Sequence, residues 1–174
     1  MKQFFMTTDR LGFGVWTEND LDLAATLWRD EDVTRYARDG GPFTDEEIRD
    51  LLRRETENQN VNGVQYWPLY IKETGELAGC CGMKPSERRN TMELRFYLFR
   101  KYWGQGLGSE AARRVISYAF DMLKVKTLIA RHHPDNSSAA KCLSGLGFAR
   151  TEDQLDPSSG LVSPTYKLIK GYQG

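Results

Sequence analysis

Cysteine is scarce in this 174-residue chain, which holds only Cys80, Cys81 and Cys142. None stands in a CxxC or Cys/His spacing, so no metal is expected. Neighbours on an extended chain point to opposite faces, which disfavours a bridge between Cys80 and Cys81. A charge surplus is also lacking: 24 Lys plus Arg balance 24 Asp plus Glu. Nucleic-acid binding and a basic membrane surface are therefore not expected. No apolar run approaches the ~20 residues of a membrane span. The apolar stretch in "MKQFFMTTDR" is too short for a signal peptide. These absences predict a reduced, cytoplasmic, soluble protein.

What is present suits one domain spanning 1–174, with 40% hydrophobic and 28% charged residues. "DRLGFGVW" alternates and predicts a first strand. Thr17 and Asp20 flank a helix start in a capping-box pattern. Leu21, Ala24, Ala25 and Trp28 follow at helical spacing. Thr44 with Glu47 makes a second capping box ahead of a short stripe at Ile48, Leu51 and Leu52. "VQYWPLYIK", "ELAGCCGM" and "TMELRFYLF" read as strands joined by turns too short for anything but antiparallel neighbours. Leu107, Ala111, Ala112, Val115, Ile116, Ala119, Phe120 and Leu123 mark a strong amphipathic helix. "KTLIARHH" predicts a strand. "PDNSSAAKCLSGLGF" predicts a helix capped at Asp135 or Asn136 and stopped near Gly147. Two strands around "DPSSG" complete the pattern. The predicted class is α+β: a mixed, mostly antiparallel twisted sheet of about seven strands with about four helices.

The most informative stretch is "YWGQGLGSEA". Gly104, Gly106 and Gly108 lie between a strand and a helix start. A helix N-terminus offers unpaired N–H groups and partial positive charge. Glycines before it permit close approach and unusual dihedrals. The combination suits a phosphate or diphosphate. The run lacks the Gly-Lys-Ser/Thr of a P-loop. Its GxGxG spacing after antiparallel strands fits a dinucleotide loop badly. A turn whose glycines merely cap and pack remains the other reading.

"YWGQGLGSEA", then a strand, then "HPDNSSAAKCLSGLGF", resembles the GNAT superfamily of N-acetyltransferases. The Trp at Trp103 is similar to the branch containing ribosomal-protein N-terminal alanine and serine acetyltransferases. The likeness runs from "DRLGF" to "SPTYKL". It implies acetyl-coenzyme A as co-substrate. By that resemblance Trp103, Gly104, Gln105, Gly106, Leu107, Gly108 and Ser109 surround the diphosphate, with Glu110 in the same helical turn. Leu98, Phe99 and Arg100 would pair their backbone with the pantetheine arm as an added strand does. Asn136 would bind that arm, cap its helix, or both. Leu98 would lie beside the backbone donor for the thioester oxygen. A homodimer is one assembly the resemblance allows.

Acetyl transfer to an amine needs a proton acceptor, a stabilised carbonyl oxygen and a leaving thiol. Alternation places Glu93, Arg95, Tyr97 and Phe99 on one face of their strand and Leu94, Phe96 and Leu98 on the other. Glu93 is thus the candidate base, or a group attracting an ammonium, or an ion-pair partner of Arg95 or a neighbouring strand. Tyr97 shares its face. Compared with the family, Leu143 stands where many members have an acidic Tyr. Ala139 replaces a frequent Ser, and Arg95 a frequent Gly. Ser138 and Tyr166 are then the candidates for the acid. The segment Asp30–Phe43 resembles the family's acceptor border, so Arg35, Tyr36 and Arg38 are candidate substrate contacts, or part of a solvated loop.

His132 and His133 read as solvent-facing turn residues. Trp16, Trp28 and Trp67 read as core or pocket wall, and Trp103 as packing under the glycine loop. Two functions remain. One is an acetyl-coenzyme A-dependent N-acetyltransferase acting on a protein N-terminus or small amine by direct transfer. The other is a coenzyme A-binding sensor or partner-binding module without effective catalysis. ATP binding is a weaker third reading, because the P-loop lysine is missing.

Overall fold

The computed structural model describes residues 2–157 and 159–171. Where one opening strand is predicted, two short ones form: β1 (Met6–Thr7) and β2 (Leu11–Phe13). Helices α1 (Leu21–Trp28), α2 (Glu31–Thr34) and α3 (Asp45–Asn62) follow. Asp20 sits at the N-cap of α1 without bonding it. Its carboxylate instead accepts the Thr17 N–H and hydroxyl, so the expected capping box is absent there. The Thr44–Glu47 box is present in both directions. It starts a helix of 18 residues, much longer than its apolar stripe suggests.

Strands β3 (Tyr66–Ile71), β4 (Leu77–Pro85) and β5 (Thr91–Leu98) form the expected antiparallel meander. A 3₁₀ turn at Arg100–Tyr102 leads to α4 (Leu107–Ser117), prolonged by a π-helical turn at Tyr118–Met122. Then come β6 (Thr127–Arg131) and α5 (Ser137–Gly145), capped by Asn136. The chain closes with β7 (Ala149–Arg150), β8 (Gln154–Asp156), β9 (Leu161–Ser163) and β10 (Thr165–Ile169). Strands do flank "DPSSG" as expected, but the segment holds four where two are expected. Segments of two or three residues carry too little alternation to stand out in a sequence.

The main sheet has eight strands in the order β1-β2-β3-β4-β5-β6-β10-β7, and β8 and β9 form a separate ribbon. Among the described residues five α-helices flank the sheet, one more than expected, because α2 is a single turn. Trp67, Cys81, Met83 and Leu94 on one face pack against Leu107, Ala111, Ala112 and Val115 of α4. On the other face, Cys80 joins Trp16, Trp28, Ile48 and Leu52 beneath α1–α3. The adjacent cysteines therefore lie on opposite faces, and all three thiols are free. Burial pushes the Cys80 and Cys81 thiols far above their usual range.

One pairing creates the site. β5 and β6 run parallel and keep register only from Thr91↔Thr127 to Leu94↔Ala130. Beyond Leu94, β5 stays on β4 as far as Leu98↔Gly79, while its other edge opens.

Candidate active site

Phe99 donates its N–H to Ala78 O on the β4 side. By the alternation of an antiparallel ladder, the polar groups of Phe96 and Leu98 then face the opened gap. The Leu98 carbonyl is taken by the Trp103 indole N–H at 2.9 Å. This leaves the Phe96 backbone and the Leu98 N–H along the gap. The free edge therefore spans Arg95 to Leu98, earlier than the Leu98–Arg100 segment expected. Arg100 already belongs to the 3₁₀ turn, and its guanidinium lies 3.8 Å from Asp32.

Gly104 and Gly106 adopt φ of 71° and 76°, a region costly for residues with a Cβ. Gly106 is the N-cap of α4, and no side chain caps that helix. A Cβ on Gly108 would meet the Phe96 ring at 3.1 Å, so glycine there lets the helix approach β5 closely. The loop is held from outside by Arg10, in the β1–β2 turn, which the sequence did not mark. Its Nη1 donates to Gln105 O at 2.9 Å and its Nε to Glu110 Oε2 at 2.7 Å. Thr8 Oγ1 and the Arg10 N–H also bond Glu110. Burial raises the Glu110 pKa, but these bonds outweigh it and hold the carboxyl below its usual range.

A cleft of about 260 Å³ joins these parts. Leu98, Trp103, Gly104, Gly106, Leu107, Gly108, Ser109, Asn136 and Ser138 line it, whereas Phe99, Arg100 and Gln105 do not. Phe96, which alternates with Leu98, lines it too and was missed. Trp103 is 39% exposed, so it forms the lip of the cleft and does not pack beneath the loop. Asn136 Oδ1 accepts the Ala139 N–H at 3.3 Å and the Ser138 hydroxyl at 2.9 Å. Tyr36 stands between the Trp103 and His133 rings, with centroids 6.4 and 5.9 Å away. Arg35 bonds Asp32 at 3.4 Å and lines none of the cavities described.

Beside the cleft, and sharing Tyr36, Phe96, Tyr97, Asn136 and Ala139 with it, a small channel-like cavity of about 50 Å³ lies at the gap between β5 and β6. Arg95, Tyr97, Arg131, His132 and His133 line it. The histidines are thus half-buried channel residues, contrary to their reading as solvent-facing. The β6–α5 turn meets the segment after α2, where His133 faces Tyr36 and Asp39. His132 Nδ1 lies 2.8 Å from His133 O, and its Nε2 3.3 Å from the Tyr166 hydroxyl. In the neutral ring Nδ1 therefore donates to the carbonyl, and Nε2 accepts from Tyr166. His133 Nε2 lies 3.2 Å from Asp39 Oδ1.

On the far face Glu93 is 4% exposed and enclosed by cations. Arg95 Nε and Nη2 reach its Oε1 at 3.0 and 2.7 Å. Arg131 Nη1 is 3.0 Å and Lys84 Nζ 3.9 Å from its Oε2. Arg95 Nη2 also bonds Asp156 of β8 at 2.7 Å. Of the readings open to Glu93, the ion-pair geometry is the one formed. Burial, then Arg95, lowers the Lys84 pKa, with Arg131 adding and Glu93 and Asp156 opposing.

Two larger cavities flank this cluster. One, about 470 Å³, lies under α3 and is lined by Trp28, Arg38, Glu55, Tyr66 and Tyr97. Arg38 is fastened there to Glu47 at 2.8 and 3.0 Å. Burial raises the Glu55 pKa to about 7, against the Tyr66 N–H that it accepts. The other, about 550 Å³, lies between the sheet and the β8–β9 ribbon. Among the described residues no cluster of three or more His, Cys, Asp or Glu could hold a metal ion. No helix among them is long and apolar enough to cross a membrane.

The geometry agrees with the comparisons. The chain is 30% identical over 145 residues to "Uncharacterized N-acetyltransferase p20" of Bacillus licheniformis, covering 82% of this chain and 81% of that one. It is 27% identical to the FsC-acetyl coenzyme A-N(2)-transacetylase of Aspergillus fumigatus, over 75% of this chain and 59% of that protein. In fold it is similar to RimL, a ribosomal alpha-N-protein acetyltransferase in complex with coenzyme A. There the TM-score is 0.80 at 12% identity, covering 96% and 98% of the two chains. The Acetyltransferase (GNAT) domain family matches residues 10–149. A glycine-rich helix start, a strand edge opened by a parting parallel pair and this match lead to one conclusion: the chain belongs to the GNAT family of acetyltransferases, whose co-substrate is acetyl-coenzyme A.

Proposed function

We infer that the protein moves an acetyl group directly from acetyl-coenzyme A to a primary amine while both are bound. One observation carries this reading. The uncapped start of α4, the unpaired edge of β5 and Asn136 converge on a single cleft, and a smaller cavity at the β5–β6 gap shares part of its wall. Two glycines at positive φ and a third against Phe96 leave room for a diphosphate beside free main-chain N–H groups.

The coenzyme supplies an acetyl group activated as a thioester. Leu107, Gly108 and Ser109 offer N–H groups of the first helical turn to the diphosphate. Phe96 offers strand-edge pairing to the amide-bearing arm. Asn136 and Ser138 border that arm, and Trp103 and Tyr36 shield it from water. The Leu98 N–H, already fixed in β5, is the donor for the carbonyl oxygen and needs no reorganisation.

The acceptor amine enters through the channel beside Tyr97. It loses one proton as its nitrogen bonds the acetyl carbon, and the departing sulfur gains one. Before that step an α-ammonium, with a reference pKa of ~7.7–8.0, must give up another proton to solvent, which near neutrality needs only modest help. Glu93 contributes by holding Arg95 and Arg131, because its oxygens are engaged by them. His132 at the channel wall, with the buried Tyr166 hydroxyl 3.3 Å behind its Nε2, is the route offered to the proton. Protein N-termini and small amines are both acceptors of the right chemistry.

Calorimetry with coenzyme A and thiol release from acetyl-coenzyme A over a broad amine panel test the reading. Micromolar binding and turnover with at least one amine are expected. Tight binding with no turnover on any amine leaves a binding module, and absence of binding removes the cleft assignment as well.

A further inference from the structure

The cavity of about 470 Å³ under α3 shares Ala37, Arg95 and Tyr97 with the wall of the channel. Its volume suits a small molecule. Trp28, Phe43 and Tyr97 give it broad apolar faces, and Asp50, Arg54 and Glu55 of α3 give it polar ones. The surroundings of the channel are tied down. Arg95 holds Asp156 of β8 at 2.7 Å, Arg38 holds Glu47 at 2.8 Å, and His133 lies 3.2 Å from Asp39. Such ties favour a compact acceptor over an extended peptide.

Glu55 is the polar group of this wall that keeps an oxygen to spare. Glu47 is fastened to Arg38, and Asp50 to Arg53 at 2.8 Å. The Glu55 Oε2 accepts the Tyr66 N–H at 2.5 Å. Its Oε1 accepts nothing among the described residues. Unlike Trp28 Nε1 and the Tyr66 hydroxyl, which are also unbonded, that oxygen is not sealed from the cavity. Burial raises the carboxyl's pKa to about 7, with the Tyr66 N–H, Arg54 and Lys84 opposing. Near neutrality both of its forms are therefore present. A hydroxyl donates to the carboxylate and accepts from the carboxylic acid, so it pairs with either. A second ammonium would meet Arg54, Lys84 and Arg95 in the same wall, and a carboxylate would meet Glu47, Asp50 and Glu55.

Sheet register gives the reach required. Tyr66 stands opposite Gly82, and Gly82 opposite Arg95, so Glu55 sits at the Arg95 row but over β3. Leu98 lies further along β5. Strand spacing and rise put roughly 10–14 Å between Glu55 and the Leu98 N–H. Resting on the acetyltransferase reading of the channel, we propose that the acceptor is a small hydroxylated amine. Its body fills the cavity under α3, and its hydroxyl, on the order of 10 Å from the reacting nitrogen, is read by Glu55. The amine passes Tyr97 to reach the thioester. Glu55 thus determines specificity by touching the acceptor far from the reacting atoms.

The test uses the full chain. Thiol release is measured for ω-amino alcohols over a series of chain lengths. Each is set against the alkylamine and the diamine of the same length, and all against N-terminal peptides. The kcat/KM should peak at an intermediate length. There the amino alcohol should exceed the alkylamine and the diamine by at least about tenfold, the worth of one hydrogen bond to a charged group. Glu55→Ala should bring that preference close to one by raising KM, with kcat at saturation held. Glu55→Gln, which keeps a carbonyl for the Tyr66 N–H, should lower it several-fold by the same route and serves if the alanine variant does not fold. Leu51→Trp, which fills the cavity from α3, should move the optimum to shorter chains. Calorimetry of amino alcohol and alkylamine on the coenzyme A complex reads the site without turnover. A peptide or diamine used as well as the best amino alcohol, a flat length profile, or an unchanged preference in a folded Glu55 variant overturns the proposal and leaves acetyl transfer standing. Preferential binding of the amino alcohol without turnover of any amine upholds this site and sinks the acetyltransferase reading instead.

Discussion

Arg10 and Glu110 lie 100 positions apart in the chain, and the guanidinium Nε of one donates to the carboxylate of the other at 2.7 Å. The same Arg10 holds the Gln105 carbonyl, so one side chain sets both the glycine loop and the first turn of α4. Arg10→Ala should weaken coenzyme A binding about fivefold, the modest effect of a partly exposed contact. Titration calorimetry reads this directly. Unchanged affinity would mean that the loop holds its shape unaided.

Gly106→Ala places a Cβ at φ 76° on the residue that begins α4. The strain costs ~1 kcal/mol, or roughly 3 °C in melting temperature for a chain of this size. Coenzyme A affinity should fall at least tenfold, because the N–H groups of the first turn shift with that residue. A thermal melt and a binding isotherm on the same sample separate the two effects.

Glu93→Gln removes the carboxylate that Arg95, Arg131 and Lys84 share. Breaking such a buried cluster costs about 3 kcal/mol. Urea unfolding should show that loss. Turnover, measured at a temperature where the variant stays folded, should remain within about tenfold of the parent, since a base contributes 10²–10⁴-fold. A stable variant with activity reduced beyond that range would make Glu93 the base.

Glu55 has a pKa raised from 4.5 to about 7, with burial as the leading cause. Between those values the folded chain keeps a proton that the unfolded chain has released. Its contribution therefore makes stability fall as pH rises through that window, by about 3 kcal/mol in all. Glu55→Gln, which keeps a carbonyl for the Tyr66 N–H, should flatten this slope. Unfolding free energies at pH 5 and pH 8 for both proteins check it, and parallel profiles would count against the assignment.

Much of this architecture is legible in the sequence. The meander over β3–β5 follows from long alternating segments and short turns, and α4 from a stripe that recurs at each helical turn. The Thr44–Glu47 box announces α3 because both partners lie within one turn. The glycine loop and Asn136 are readable for the same reason, since their geometry is set by neighbours in the chain. Arg10, His132 and the two-residue strand β7 are not. Their roles come from partners distant in sequence, such as Glu110 for Arg10 and Tyr166 for His132.

By itself the sequence determines the local pieces: which segments extend, which coil, where a helix begins bare of side chains, and which residues alternate onto each face of β5. Those features depend on dihedral preference and side-chain spacing within a few residues. Only the tertiary structure decides where β5 and β6 part, and which charges gather at that gap. Parallel strands meet through a crossover, and no short-range pattern records the residue at which their pairing ends. The engagement of Glu93 is set there, by side chains from β4, β5, β6 and β8 brought into one buried cluster.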